Sequence, residues 1–244
     1  MTGRAAVVTG AASGIGRATV EQFLDSGRYD VVAGLDVDEA VADLDDEFDG
    51  FRGFTVDVAD HDTVAAVVET IEESAAIHTL VNNAAISEYA WLGDLTPDAW
   101  HRVLDVNLTG QYNLAHAVGP LLYEREAGSI VNVSSGAGQR GSASGGVHYS
   151  ASKAGILGLT KGLAKQLRPH VRVNCVVPGL IDTPLTHDSG LWTEEGIEAF
   201  TDRVPLERLG RPEEIAEAID FLAGPRGSYV TGSVVNVDGG ADLI

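Results

Sequence analysis

The sequence predicts a doubly wound α/β fold, in which a parallel sheet of about seven strands carries helices on both faces. Two observations lead to this prediction: short strand-like segments recur at regular intervals, and helical patterns separate them. Several of these segments are rich in Val and Ile without polar alternation, as expected of strands buried on both sides. The predicted strands are 4–9, 30–35, 53–56, 78–81, 129–133, 171–176 and 233–237.

Helical patterns occupy the connections between these strands. Two groups of apolar residues each fall on one helix face: Val64, Val67, Val68 and Ile71, and Ile156, Leu159, Leu163 and Leu167. No Pro/Ser-rich linker, repeat or change in composition divides the chain. We therefore expect a single domain over residues 1–244.

Composition places the chain among globular proteins. Its 244 residues, 44% of them apolar, suffice for one sizeable core, with about 70 to 75% of the unfolded-state surface buried. Cys175 is the only cysteine, so no disulfide can form within the chain and we expect a cytoplasmic protein. The sequence offers neither a spanning segment nor a signal peptide, which predicts no membrane partner.

The charge balance is strongly acidic. Sixteen basic and 36 acidic side chains give a formal net charge of -20, which argues against a nucleic acid partner because phosphate groups would be repelled. Eight acidic residues and no basic residue lie between Asp36 and Asp49. We interpret this surface as a halophilic adaptation, because ions at high salt screen the repulsion between like charges.

A glycine-rich turn follows the first predicted strand and precedes a predicted helix over residues 17–26. The turn reads Thr9-Gly10-Ala11-Ala12-Ser13-Gly14-Ile15-Gly16. Glycines permit a tight turn and close approach to a ligand, while the helix N-terminus offers free N–H groups to a pyrophosphate. The order of strand, turn and helix therefore predicts a Rossmann-type dinucleotide site that includes Gly10, Ser13, Gly14, Ile15 and Gly16.

Asp36 lies 20 residues beyond Gly16, at the end of the second predicted strand. A carboxylate at this position accepts hydrogen bonds from an adenosine ribose and repels a 2′-phosphate. The glycine turn contains no Lys or Arg before Gly16, and neither Val37 nor Asp38 is basic. We therefore predict NAD(H) in preference to NADP(H); the alternative is that Asp36 only adds to the acidic surface.

Tyr149 and Lys153 are four residues apart in a helical pattern, which puts both side chains on one helix face. The reference pKa of tyrosine is about 10, so a tyrosine exchanges protons at neutral pH only if its anion is stabilised. An ammonium about 4 Å away would contribute about 4 kcal/mol at an effective dielectric constant near 20, equivalent to roughly three pKa units. We expect Lys153 to lower the pKa of Tyr149, so that the pair acts as a general acid and base.

Across nearly its whole length the sequence resembles the short-chain dehydrogenase/reductase superfamily, and the motifs occur in the family's order. The C-terminal motifs are most similar to those of 3-oxoacyl-carrier-protein reductases. Besides the glycine turn, the matching segments are Asp57-Val58, Asn82-Asn83-Ala84-Ala85, Asp105-Val106-Asn107-Leu108, Ser134-Ser135, Tyr149 with Lys153, Pro178-Gly179 followed by Thr183, 208–216, 229–232 and 237–240.

The resemblance implies a role for each matching residue. Tyr149 is implied as general acid in reduction and base in oxidation, Lys153 as the group that lowers its pKa and binds the nicotinamide ribose, and Ser135 as a hydrogen-bond donor to the substrate oxygen. Asn107 is implied to hold a water that links Lys153 to solvent. The implied cofactor contacts beyond the glycine turn and Asp36 are Asp57, Val58, Asn83, Tyr149, Lys153, Pro178, Gly179, Ile181 and Thr183.

Two positions depart from the family pattern. Ser135 precedes Tyr149 by fourteen residues where the family has thirteen, so the loop 136–148 contains one extra residue and Ser134 remains the alternative catalytic serine. Ala85 replaces the usual glycine, a change that the backbone tolerates unless it needs a positive φ.

Residues 183–205 correspond to the family's variable substrate lid, which mixes apolar and acidic side chains. His187 and its acidic neighbours lack the spacing of metal ligands, so we predict no metal site. The side chains that could wall a substrate pocket, unless they are ordinary packing residues, are Leu185, Leu191, Trp192 and Phe200 from the lid, with Tyr89 and Trp91 from the loop after the fourth strand.

These features favour an NAD(H)-dependent oxidoreductase that acts on a small secondary alcohol or ketone. The alternatives are a 3-oxoacyl-carrier-protein or acyl-CoA reductase, a related dehydratase or epimerase, and a non-catalytic NAD-binding sensor or scaffold. A net charge of -20 disfavours docking of an acidic carrier, and the four intact catalytic positions disfavour a sensor. Gly155, Gly158 and Gly162 permit close helix approach and, with the resemblance, predict a homotetramer.

Overall fold

The structure is a computed structural model that describes residues 3–188 and 190–243. Its strands form one seven-stranded sheet in the order β3-β2-β1-β4-β5-β6-β7, and every pair of neighbours is parallel. This sheet confirms the predicted doubly wound α/β fold. The strands are β1 (Arg4–Thr9), β2 (Val31–Asp36), β3 (Phe51–Thr55), β4 (Ala76–Asn82), β5 (Gly128–Val133), β6 (Val171–Pro178) and β7 (Val234–Val237).

Helices connect the strands and cover both faces of the sheet. None of the helices within the described ranges is both long and apolar enough to cross a bilayer. The helices are α1 (Gly14–Asp25), α2 (Ala40–Glu47), α3 (His61–Ser74), α4 (Pro97–Leu104), α5 (Gly110–Glu124), α6 (Ala137–Arg140), α7 (Gly146–Gln166), α8 (Pro184–His187), α9 (Glu194–Thr201) and α10 (Pro212–Ala223), with a π-helical turn at Asp105–Thr109 and 3₁₀ turns at Pro225–Gly227 and Ala241–Leu243.

The core consists of two main apolar layers, one on each side of the sheet. Residues of α1, α2 and α10 pack on one face, and residues of α3, α5 and α7 pack on the other. Strand β1 shows the division clearly, because Ala6 and Val8 belong to the first layer while Ala5 and Val7 belong to the second. A strand covered on both sides has no solvent face, which explains its lack of polar alternation.

Local boundaries differ from the predictions by a few residues. Helix α1 begins at Gly14 rather than at residue 17, because the chain reverses within four residues through Gly10 (φ +67°) and Gly14 (φ +53°). Strand β3 begins at Phe51, two residues earlier than predicted, and pairs there with Val32 of β2. One position of the predicted lid, Ser189, and both ends of the predicted domain lie outside the described residues.

The strand order creates a crevice at one edge of the sheet. The chain builds outward from β1 to β3 in one direction and from β4 to β7 in the other, so the connections after β1 and β4 diverge. Ligands of open α/β sheets bind at such a switch point, outside the carboxyl ends of the strands. Here the glycine turn, the loop after β4, the loop after β5 and the lid after β6 all begin at this edge.

Arg172 of β6 stabilises the last turn of α10. Its terminal nitrogens donate to the carbonyl oxygens of Ala223 (2.9 Å), Gly224 (3.3 Å) and Gly227 (2.9 Å). The last carbonyls of a helix have no partner within the helix, so a guanidinium supplies donors that these groups would otherwise lack.

We expect Arg172→Met to lower the free energy of unfolding by about 2 to 4 kcal/mol, because several partly buried carbonyls lose a charged donor. Chemical denaturation followed by circular dichroism measures this change. Arg168→Met is the matched control, since Arg168 is exposed and should change stability by less than about 0.5 kcal/mol. Equal losses in the two variants would contradict the assignment.

Candidate active site

The glycine turn is compact because three of its positions exclude a side chain. A Cβ on Gly16 would lie 1.8 Å from the carbonyl oxygen of Gly10, and Gly10 and Gly14 adopt positive φ. Asn83 holds the turn against the end of β4, since its Nδ2 donates to the carbonyl oxygens of Thr9 (3.0 Å) and Gly10 (3.3 Å). The turn therefore forms a fixed cradle of backbone groups.

The cradle opens onto the N-terminus of α1. Ser13 precedes the helix in an extended conformation, and its side chain makes no capping hydrogen bond. The N–H groups of the first helical turn are therefore left available, and they carry the positive end of the helix dipole. Such an arrangement favours an anionic ligand, in particular a phosphate.

Two acidic positions lie at the carboxyl ends of the neighbouring strands. Asp36 ends β2, where its Oδ2 accepts from the N–H of Ala12 (2.9 Å) and its Oδ1 from the N–H of Asp38 (3.0 Å). Asp57, just after β3, is exposed, and its Oδ1 accepts from the N–H of Ala59 (2.9 Å). The predicted contacts Asp36 and Asp57 thus share one edge of the sheet with the glycine turn, although neither lines the cavity described below.

Tyr149 and Lys153 lie in the first two turns of α7 and both line the central cavity. Lys153 is only 2% exposed, and its Nζ donates to the carbonyl oxygen of Val133 at the end of β5 (3.2 Å). The same Nζ lies 5.7 Å from the centroid of the Tyr149 ring. The predicted pair is thereby brought to one site.

The pKa values of this pair reflect burial. Removal from water lowers the pKa of Lys153 to about 8, since the ammonium is disfavoured in a poorly solvated position. Burial raises the pKa of Tyr149, and a hydrogen bond with Ser135 offsets part of that effect. The sequence predicts that Lys153 lowers the pKa of Tyr149. The net direction is the opposite one, because desolvation of the phenolate is the largest cause of the shift.

The two candidate serines have different partners. Ser134 is buried, and its hydroxyl donates to the carbonyl oxygen of Lys153 (2.7 Å). Ser135 lies next to Tyr149 in the cavity wall, where its Oγ also accepts from the N–H of Ala137 (3.2 Å). The structure thus directs Ser135, and not Ser134, at the hydroxyl of the tyrosine. The loop containing the extra residue begins with the short helix α6.

Asn107 lies in the π-helical turn and is fully buried. Its Oδ1 accepts from the N–H of Ile86 (2.8 Å), and its Nδ2 donates to the carbonyl oxygen of Ile86 (2.9 Å) and to Ser152 Oγ (3.1 Å). The side chain therefore joins the loop after β4 to α7. Its implied role in holding a water stays a prediction, because these contacts do not involve Lys153.

A cavity of about 550 Å³ joins these groups to the lid. Leu185, Leu191, Trp192 and Phe200 line it, in agreement with the expected wall. The expectation for Tyr89 and Trp91 is wrong: their side chains are 58% and 67% exposed and lie outside the lining. Of the other predicted positions, those that line the cavity are Ile15, Asn83, Ser134, Ser135, Tyr149, Lys153, Pro178, Gly179, Ile181 and Thr183.

Sequence reasoning missed two side chains of this region. Arg140 of α6 lines the cavity, and Gln111 of α5 donates from Nε2 to the carbonyl oxygens of Val133 (3.2 Å) and Asn82 (3.2 Å). Lys153 and Gln111 thus share the Val133 oxygen. The placement of Gln111 four residues after Asn107, on the same helix face, was the available signal. Within the described ranges, no group of three or more His, Cys, Asp or Glu side chains is arranged to hold a metal ion.

Comparisons with known proteins agree with this geometry. A family model described as enoyl-(acyl carrier protein) reductase matches residues 10–242. The 3-oxoacyl-[acyl-carrier-protein] reductase FabG of Thermotoga maritima is 42% identical over 246 residues, which cover 98% of each chain.

Two solved structures are similar over nearly the whole chain. A 3-oxoacyl-[acyl-carrier protein] reductase from Brucella melitensis with bound NAD has a TM-score of 0.88 at 35% identity and covers 99% of this chain and 92% of that one. Aldohexose dehydrogenase from Thermoplasma acidophilum has a TM-score of 0.89 at 32% identity and covers 99% of this chain and 94% of that one.

The fold and the site together define an oxidoreductase built on a nicotinamide-dinucleotide-binding sheet. The chain belongs to the short-chain dehydrogenase/reductase superfamily. The residues present fit such a dinucleotide: the turn at Gly10 to Gly16 leaves no space for a Cβ at Gly16, and the uncapped start of α1 faces the same cradle.

The contrasting partners of the two serines give a direct test. Ser134→Ala removes a buried hydrogen bond to α7, so we expect the free energy of unfolding to fall by about 1 to 2 kcal/mol. Ser135→Ala removes the donor beside Tyr149, so we expect a loss of about 100-fold in kcat with little change in stability. Denaturant titration and steady-state kinetics of both variants measure these effects. A greater loss of kcat in Ser134→Ala than in Ser135→Ala would reverse the assignment.

Proposed function

We propose that this protein is an NAD(H)-dependent oxidoreductase that interconverts a secondary alcohol and a ketone. The observation that carries this proposal is the cavity wall formed by Ser135, Tyr149 and Lys153 directly beside the lid. These residues combine a hydroxyl donor, a proton-exchanging phenol and a cation in one poorly solvated place, which suits a reaction in which charge develops on a carbonyl oxygen.

The proposed mechanism assigns a separate task to each side chain. When bound, the nicotinamide ring supplies or accepts the hydride. Ser135 donates a hydrogen bond to the substrate oxygen. Tyr149 gives its proton to that oxygen in reduction and accepts the proton in oxidation. The Nζ of Lys153 lies 5.7 Å from the centroid of the Tyr149 ring, so its ammonium is suited to stabilise the phenolate as it forms.

The glycine turn and the adjacent strand ends would hold the dinucleotide. Backbone groups from Gly10 to Gly16 suit the pyrophosphate, while Asp57 and Val58 suit the adenine. Asn83, Pro178, Gly179, Ile181 and Thr183 suit the nicotinamide half, since all five line the cavity that Tyr149 also lines.

The preference for NAD(H) rests on Asp36. Its carboxylate is fixed by the N–H groups of Ala12 and Asp38 at the place where the adenosine ribose would lie. Arg17, the basic residue that follows Gly16, is held by Glu21 (3.1 Å) and by Glu47 (2.5 Å) and so is not free to neutralise a 2′-phosphate. A relative with bound NAD supports the same choice.

A 3-oxoacyl-carrier-protein reductase is the second candidate, because relatives with that name match nearly the whole chain. The charge of this chain argues against an acidic carrier as the physiological partner. Helix α9 of the lid carries Glu194, Glu195 and Glu198 at the edge of the cavity region, in a chain whose net charge is -20. A small free substrate does not need to dock on this acidic surface.

We also propose a homotetramer, with segment 183–205 as its substrate lid. On α7, Gly158 and Gly162 are exposed, and a Cβ on either would meet no other atom of the described chain within 4 Å. Gly155 serves a different purpose from the predicted one, because it accommodates Leu108 of the same chain. The exposed small residues leave room for a helix of a second subunit.

Tyr149→Phe tests the proposed acid and base. We expect kcat to fall by about 100- to 10,000-fold, while NADH binding measured by fluorescence stays within about threefold. In the unmodified protein, kcat/KM for oxidation should rise with pH through the neutral range, because burial raises the pKa of Tyr149, the group that accepts the proton, and keeps it protonated there. Turnover of a true substrate by Tyr149→Phe at the original rate would exclude the mechanism.

Asp36→Asn tests the cofactor preference. We expect the ratio of kcat/KM with NADH to that with NADPH to fall by about tenfold or more, because a charge that repels the 2′-phosphate is removed. Asp46→Asn is the matched control: Asp46 is exposed in the same acidic segment, and its loss should leave the ratio unchanged. If both variants change the ratio equally, Asp36 contributes only to the general surface charge.

A further inference from the structure

The charge of the cavity is opposite to that of the chain. The protein has a net charge of -20, yet among the described residues the cavity lining contains two cations, Arg140 and Lys153, and no Asp or Glu. Lys153 is engaged beside Tyr149 and with Val133. Arg140 is therefore a second positive group in the cavity wall that the proposed reaction leaves without a task.

Arg140 is held at its position by the C-terminal 3₁₀ turn. Its Nη1 donates to the carbonyl oxygen of Ala241, and its Nε lies 3.7 Å from Oδ1 of Asp242. The Nη2 lies on the other side, beside Gly136, which also lines the cavity. In the described part of the chain Nη2 makes no hydrogen bond, so its two N–H groups remain for a ligand.

The wall around Arg140 is rich in hydroxyl groups. Ser142 and Ser144 line the same cavity, and their Oγ atoms lie 3.3 Å apart. Ser142 Oγ is oriented by the N–H of Gly145, which donates to it at 2.9 Å. The lid contributes apolar side chains to the same lining, with Leu185 and Trp192 among them. The cavity lining thus combines a cation and hydroxyl groups with apolar side chains.

We propose that the substrate is a hydroxy acid, oxidised to the corresponding oxo acid, whose carboxylate binds to Arg140 beside Ser142 and Ser144. This proposal rests on the proposed function, which it deepens by naming the substrate class. In the reaction the C–H bond supplies a hydride to the nicotinamide, the hydroxyl proton goes to Tyr149, and the carboxylate is unchanged. The Nη2 of Arg140 can donate to one carboxylate oxygen, and the neighbouring serine hydroxyls can donate to the other.

This substrate class differs from that of an acyl thioester. A thioester is neutral next to its 3-oxo group, so it gains nothing from a cation in the wall. A hydroxy acid gains a charge-assisted hydrogen bond from Arg140. Because the same cavity also receives the nicotinamide, the remaining volume suits a short acid.

The test compares matched pairs of substrates that differ only in charge. Short-chain 2- and 3-hydroxy acids are assayed with NAD⁺ beside their methyl esters, with the unmodified protein, Arg140→Met and the exposed control Arg168→Met. We expect the free acid to exceed its ester at least tenfold in kcat/KM. Arg140→Met should lose about ten- to a hundredfold with the acid, mainly through KM, and little with the ester. Arg168→Met should retain the preference.

A second variant tests the same contact in the opposite direction. Asp242→Asn removes the carboxylate that competes for the guanidinium, so we expect KM for the acid to fall severalfold while KM for the ester does not change. An ester that equals its acid with the unmodified protein, or an equal loss for acid and ester in Arg140→Met, would overturn the proposal. The second result would show that Arg140 only fixes α6 to the C-terminal turn.

A binding assay separates this proposal from the proposed function. 3-Hydroxy-3-methylbutanoate is a tertiary alcohol that cannot be oxidised, and its binding to the protein with NAD⁺ is measured by calorimetry. We expect binding that Arg140→Met weakens by at least tenfold and Tyr149→Phe leaves intact. This result, with no turnover of any alcohol, would refute the proposed reaction and retain the carboxylate site. The carboxylate site would be refuted if the protein did not bind this compound. It would also be refuted if the protein bound an analogue with a phosphate ester in place of the carboxylate more tightly.

Discussion

One constraint organises this protein: all seven strands run in the same direction, so their carboxyl ends meet at a single edge of the sheet. The glycine turn follows β1, Asp36 ends β2, Asn83 follows β4, Ser135 follows β5, and the lid follows β6. Residues far apart in sequence are thereby brought to one crevice without long connecting loops. The cross-links at this edge, such as the bonds from Asn83 to the turn, keep the loops in register with one another.

The sign of the charged side chains also changes at this edge. Acidic residues cover the exterior, whereas the described cavity lining carries only positive ionisable side chains besides Tyr149. Burial of Lys153 against a backbone carbonyl, with no acidic partner, leaves its ammonium weakly stabilised and its pKa near 8. An amine held by a carboxylate would stay protonated to much higher pH, but the carboxylate would neutralise the charge that Tyr149 needs beside it. The neutral carbonyl oxygen of Val133, as the acceptor for Lys153, therefore helps to keep the pKa of this lysine low.

Features that depend on local sequence were predictable. The apolar segments and the turn residues between them identified every strand to within a few residues. The spacing of Tyr149 and Lys153 placed both on one face of α7. Features that depend on how separate loops meet were not. The exposure of Tyr89 and Trp91, the place of Arg140 in the cavity lining and the raised pKa of Tyr149 follow from tertiary packing, which changes solvation without leaving a periodic signal. The choice between Ser134 and Ser135 likewise required the position of the Lys153 carbonyl.

The 3₁₀ turn at Ala241–Leu243 links the end of the described chain to the cavity through Arg140. The turn contacts the guanidinium through Nη1 and Nε, whereas Nη2 lies beside Gly136. Evolution could therefore retune selectivity by exchanging residues of this turn, without altering any group that touches the reacting molecule. Related proteins with identical cavity linings would then differ in substrate selectivity through the residues of this turn. Exchange of the turn between two such proteins would transfer the selectivity.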